Sequence, residues 1–181
     1  MNHSWRRCGA IVVLLSALAG CGKPPIEEAV QKNDRKAVSD ALAQGADVNA
    51  KGTKGDTPLL LAAKQRQSSS AQALIEGGAD IRARDAEGYS VLHHAAATGM
   101  TGICSLLLER GIPIGEKGPR GVTALHLAVA GARQETAKFL VRHGASLDDK
   151  DDSGASPLDI ATRNDPRFAG DLKLAATLRS N

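Results

Sequence analysis

Five histidines, twenty acidic residues and three cysteines are the side chains of this 181-residue chain best suited to do chemistry. His93, His94 and His126 are the first to weigh as metal ligands or as acid–base groups. A metal needs ligands that converge on one point. His93 and His126 are 33 residues apart, and His94 has no second candidate ligand near it in sequence. The run Asp148-Asp149-Lys150-Asp151-Asp152-Ser153-Gly154 has the composition of a calcium loop. It lacks the spacing, which wants glycine sixth and glutamate twelfth, so it reads as a solvated turn. No Gly-x-Ser-x-Gly, no His-Glu-x-x-His and no phosphate-cradling glycine loop is present. The chain therefore reads as no enzyme, with no metal and no cofactor.

The elements that must position these groups follow one period. Gly55, Gly88, Gly121 and Gly154 are spaced 33 apart, and Gly45, Gly78, Gly111 and Gly144 keep the same step. Such a period means stacked copies of one supersecondary unit, each too small to bury its apolar face alone. Two positions after the first glycines come Thr57-Pro58-Leu59-Leu60-Leu61-Ala62, Ser90-Val91-Leu92-His93-His94-Ala95, Thr123-Ala124-Leu125-His126-Leu127-Ala128 and Ser156-Pro157-Leu158-Asp159-Ile160-Ala161. Thr or Ser caps a helix N-terminus, and Pro suits the first helical turn. Leu and Ala supply an inner face that lets helices approach closely. Leu74-Ile75, Leu107-Leu108 and Leu140-Val141 close each unit, followed by a glycine suited to a left-handed helix end. The layout is helix, turn, helix, then a Gly/Asp/Lys-rich hairpin.

At these residues the chain resembles the ankyrin-repeat family, whose signature is a 33-residue unit with Thr-Pro-Leu-His-x-Ala. Thr123 to Ala128 misses it only at Pro, and Gly45-Ala46-Asp47-Val48-Asn49-Ala50 resembles the family's repeat end. The resemblance implies an all-α repeat solenoid of about five stacked units, over residues 24–51, 52–84, 85–117, 118–150 and 151–181, with β-hairpin loops. It also implies that His93 and His126 are structural rings bonded to backbone across repeat junctions. His94 replaces the Leu61 and Leu127 of other units and is placed towards the groove. Three departures stand out. Ile112-Pro113 replaces Ala-Asp. Ser68-Ser69-Ser70-Ala71 stands where a β-branched pair is usual, which predicts a thinly packed interface. Asp165-Pro166 interrupts the last unit, after which Leu172, Leu174, Ala175 and Leu178 are expected to close the stack.

Residues 1–20 obey different physics. Arg6-Arg7 precedes the short apolar run Ala10 to Leu18, too short for a transmembrane helix and read as a secretory signal. It ends in Leu18-Ala19-Gly20-Cys21, which resembles the bacterial lipoprotein box. The resemblance implies lipidation of Cys21, which then becomes the new N-terminus. An ordinary secretory signal with an incidental Cys is the other reading. Two or three acyl chains anchor far more firmly than one, and with Gly22 rather than Asp after the Cys the resemblance implies an outer-membrane anchor facing the periplasm in preference to inner-membrane retention. Only Gly22 and Lys23 form the tether, which holds the domain within roughly 10 Å of the lipid. The first 20 residues contain two basic residues and no acidic one, so the remainder carries 21 basic against 20 acidic residues. Near-neutrality gives no support to nucleic-acid binding. After Cys21 only Cys104 remains, on the apolar face of a helix, where it reads as a small buried hydrophobe.

The ankyrin resemblance implies a protein-binding scaffold, monomeric when unbound, whose hairpin tips and inner-helix ends line a groove. Mapping by period places Thr53, Lys54 and Asp56 with Lys64 and Gln65, then Glu87 and Tyr89 with Ala97 and Thr98. Arg120 and Val122 join Ala130 and Gly131, and Asp152 and Ser153 join Arg163 and Asn164. The functional expectation is a lipid-anchored binder of another protein, for example an inhibitor or immunity protein for a toxic enzyme. An accessory factor holding an envelope enzyme, as in oxidative-stress defence, is an alternative. An envelope-stabilising protein that binds glycan or lipid is another.

Overall fold

The structure, a computed structural model, describes residues 25–52 and 54–178. The signal segment, Cys21 and Thr53 lie outside the described residues. Among the described residues ten α-helices run in five pairs. They are α1 (Pro25–Gln31) with α2 (Arg35–Ala43), α3 (Pro58–Lys64) with α4 (Ser68–Glu76) and α5 (Val91–Thr98) with α6 (Thr101–Glu109), followed by α7 (Ala124–Ala130) with α8 (Gln134–Arg142) and α9 (Pro157–Asn164) with α10 (Pro166–Thr177). The odd-numbered helices stack in one row and the even-numbered helices in a second. A single apolar core runs between the rows from Ile26 through Leu59, Leu92 and Leu125 to Leu172. This is the all-α repeat solenoid that the family resemblance implies, its units stacked at the period of the glycines.

Local chemistry explains the pairs. Thr57, Ser90, Thr123 and Ser156 are the N-caps of the inner helices, and Pro58 and Pro157 occupy the first turn. After the first four outer helices Gly45, Gly78, Gly111 and Gly144 take φ of 87°, 86°, 83° and 110°, a region that a Cβ disfavours. The connections are tight turns rather than paired strands. A backbone bond closes each, from Gly52 to Asp56, Asp85 to Tyr89, Gly118 to Val122 and Asp151 to Ala155. Only isolated bridges, Arg84 with Ser90 and Lys117 with Thr123, appear among the described residues.

A third series was hidden in the sequence. The turn within each of the first four pairs passes through positive φ at Asn33, Arg66, Gly99 and Ala132, again 33 apart. Only one of the four is glycine, so composition does not reveal it. Asp165 breaks the series with φ −153° and instead caps α10 through its side chain.

The expected weak interface at Ser70 and Ala71 is small in side chains but closed, since both are fully buried. Gln67, the N-cap of α4, makes no side-chain cap bond. Asn33 of the preceding unit takes over, its Oδ1 accepting from the amides of Ser69 and Ser70 at 3.1 Å each. The terminal helix departs from expectation. Leu172 and Ala175 are buried, but Leu174 and Leu178 are 60% and 61% exposed, because they fall on the solvent side of α10.

Candidate protein-binding site

The turn tips and the C-terminal ends of the inner helices lie along one face of the stack. At its centre is Asp85, whose side chain is only 4% exposed. Its Oδ1 accepts from the amides of Glu87 at 3.1 Å and Tyr89 at 2.9 Å, which fixes the shape of the tip. Its Oδ2 faces the inner helices, receiving the Lys64 ammonium at 3.0 Å and His94 Nε2–H at 2.9 Å. Lys64 also reaches both carboxylate oxygens of Asp56 at 2.9 Å. One chain of charges thus ties α3, α5 and two successive tips together. Tyr89 lies across it, its ring edge-on to His93 at 6.0 Å and to His94 at 5.8 Å.

Burial opposes the ionisation of Asp85, but the bonds from His94, Lys64 and the Tyr89 amide outweigh it and bring the carboxyl down to about 2. A carboxylate this acidic is a poor proton acceptor at neutral pH. Burial works against the Lys64 ammonium, while Asp56 and Asp85 hold its pKa above the usual value. The arrangement fixes these charges in place between the two tips.

The predicted residues divide on this face. Asp56, Lys64 and Tyr89 are brought together. Thr98 is adjacent, but its hydroxyl is committed to the carbonyls of His94 at 2.8 Å and Ala63 at 3.2 Å. Gln65 is the C-cap of α3, its amide bonded to Leu61 O. Lys54, Glu87 and Arg120 occupy one tip slot in consecutive units, all exposed, so charge alternates along the rim. Asp152 donates its amide to Arg120 O at 2.9 Å, linking two tips. Arg163 stands with Ser153, Asp159 and Thr162 around an open pocket at the far end.

Asp85 was absent from the sequence-derived site, and so was the Arg84–Glu116 ion pair beside it. A signal for Asp85 existed. The first tip residue is Gly52, Asp85, Gly118 and Asp151 in turn, and an Asp three residues before glycine reads as a turn-fixing carboxylate. Asp151 performs that role, with Oδ1 accepting from Ser153 N at 2.9 Å and Ala155 N at 3.0 Å. Only Asp85 also meets a lysine and a histidine.

Two neighbouring histidines do different work. Ser90 Oγ–H donates to His93 Nδ1 at 2.8 Å, and His93 Nε2–H donates to Val122 O at 3.1 Å in the next unit. His126 repeats this, with Nδ1 accepting from Thr123 N at 3.0 Å and Nε2–H reaching Ala155 O at 3.2 Å. Both are clasps between units. Burial lowers the pKa of His93, which favours the neutral ring that this bonding needs. Cys104 is fully buried, and burial pushes its thiol up to about 12, so it packs as a hydrophobe. No cluster of three or more metal-ligating side chains occurs among the described residues.

A family model for ankyrin repeats (three copies) matches residues 26–118 and 112–178. The chain belongs to the ankyrin-repeat family. Ankyrin repeats generally mediate protein–protein interaction and are typically non-catalytic modules. A search of curated proteins returned no match. Among the described residues, no helix of this ankyrin-repeat chain is long and apolar enough to cross a membrane.

Proposed function

We propose that this ankyrin-repeat chain is a lipid-anchored envelope protein that binds one protein partner through the tip and inner-helix face, and that it neutralises a toxic enzyme there. The observation that supports this most is the Asp56–Lys64–Asp85–His94 chain beneath Tyr89. Its charges are paired internally, so the rim is rigid before a partner arrives, and rigidity lowers the ordering cost of association. Tyr89 and the exposed Arg120 add the residue types that dominate binding hot spots. The alternating Lys54, Glu87 and Arg120 would set the orientation of a partner with complementary charges. Cys21 carries the acyl chains in this reading and places the domain at the periplasmic surface of the outer membrane.

Photo-crosslinking residues placed singly at Glu87 and Arg120, and on the outer row at Arg142, test the face. The expected result is one shared partner from 87 and 120, none from 142, and loss of that partner's enzymatic activity in the complex. Capture from 142 alone would overturn the assignment. Cys21→Ser should release the chain from the membrane fraction, and membrane retention of that variant would overturn the anchor.

A further inference from the structure

The inner-helix slot that holds His93 and His126 is filled by Glu27 in the first unit and by Leu60 in the second. Glu27 packs as the histidine does. A Cβ built on Gly118 would stand 2.9 Å from His93 Nε2, and one built on Gly52 would stand 3.1 Å from Glu27 Oε1. The chemistry is reversed. His93 brings a donor to a carbonyl that already accepts from Gly118 N, whereas Glu27 brings an acceptor to the equivalent place, where Asp56 O already accepts from Gly52 N. Glu27 is 9% exposed and its Oε2 has no hydrogen-bond partner. Beside it lies a cavity of about 30 Å³ whose lining includes Ile26, Gly52, Lys54, Asp56, Pro58 and Leu61.

A buried carboxylate without a donor is destabilising unless a cation or hydrogen-bond donor reaches it. The cavity is large enough for a group the size of a water molecule, which an ammonium head matches and a flat guanidinium exceeds. The apolar walls from Ile26, Pro58 and Leu61 suit a methylene stem, as a lysine side chain buries its stem and charges its end. Asp56, the other carboxylate there, is already neutralised by Lys64, so the unmet charge is that of Glu27 alone.

We propose that this cavity is a binding site for a single primary ammonium group, the side-chain end of a lysine presented by a partner protein. The ammonium supplies the donor that histidine supplies in the third and fourth units, and so completes the first junction. The proposal concerns a pocket at the first tip. It stands or falls separately from the enzyme-neutralising role.

Nα-acetyl-lysine amide, titrated into 15N-labelled protein and read by NMR at the backbone amides of Gly52 and Gly55, the latter kept in every variant, is the probe. Lys54→Ala is the background of choice, because it removes the lysine of this chain that lines the cavity and would compete. The expected result is a saturable shift in Lys54→Ala that is about tenfold weaker when Glu27→Gln is added. Gly52→Ala is the control that keeps the carboxylate. Its methyl closes the cavity wall against Glu27, and the response should be lost while the helical circular dichroism is retained. Nα-acetyl-arginine amide should shift Gly52 far less. No saturable shift in Lys54→Ala, or an equal shift with and without Glu27, would overturn the site.

Discussion

The junctions of this stack are closed in two ways at one helical slot. Towards the C-terminal end, His93 and His126 reach out of their own unit and donate to a carbonyl of the next. Towards the N-terminal end, Leu60 offers only apolar contact at that slot and Glu27 offers an unpartnered oxygen. The lower half compensates with polar contacts made elsewhere. Asn33 caps α4 from the preceding unit, and Lys64 joins Asp56 to Asp85. A repeat protein therefore need not use one interface device throughout. Each junction is a nearest-neighbour problem, and a local substitution can be answered locally.

The largest break in this contrast is His93→Ala. It removes a fully buried ring and leaves Val122 O without one of its donors. Loss of packing and of the hydrogen bond together should cost about 3 kcal/mol, read by urea denaturation. A cost under about 1 kcal/mol would mean that the clasp is ornamental. His93→Gln, which keeps a donor, should recover part of the loss. Next in size is Asn33→Ala. Asn33 tolerates its φ of 52° better than Ala and caps two amides of α4. Its loss should cost about 1–2 kcal/mol, and a larger Ser70 side chain should not restore it.

The smallest expected effect is at the rim. Asp85 has a carboxyl lowered from 3.8 to about 2. A depressed folded value contributes stability that is present above the unfolded value and lost as pH falls through the folded one. Wild type should therefore lose stability between pH 3.8 and about 2 in a way that Asp85→Asn does not. The difference should stay at about 1 kcal/mol, because Asp85 itself is buried but its partner Lys64 is 32% exposed and solvent screens that end of the pair. Parallel acid profiles for the two proteins would remove Asp85 from the account.

The fold was legible because its determinants repeat. Thr57, Ser90, Thr123 and Ser156 recur with the glycine ladders, and agreement between caps, turns and apolar spacing leaves one architecture. The site was only partly legible. Asp56, Lys64 and Tyr89 follow from mapping tips onto inner-helix ends. Asp85 does not, because its partners lie 21 residues before it and 9 after it and meet only when two units stack. The series at Asn33, Arg66, Gly99 and Ala132 escaped notice because backbone conformation there is imposed by helix geometry rather than chosen by residue type. Leu174 and Leu178 misled because the apolar residues of α10 do not all fall on its inner side.

The pairing of α5 with α7, which His93 fastens, is also the most extensive helix contact among the described residues. It bears on how the molecule is made rather than on what it binds. Loop-closure entropy is modest between units adjacent in sequence, so a stack of this kind can begin folding at any unit. The extent of the α5–α7 contact makes the third and fourth units the expected starting place. On this order the first unit condenses late. Its amides should exchange with solvent sooner than those of α5 and α7, and the end that would receive a lysine is the one left most pliable.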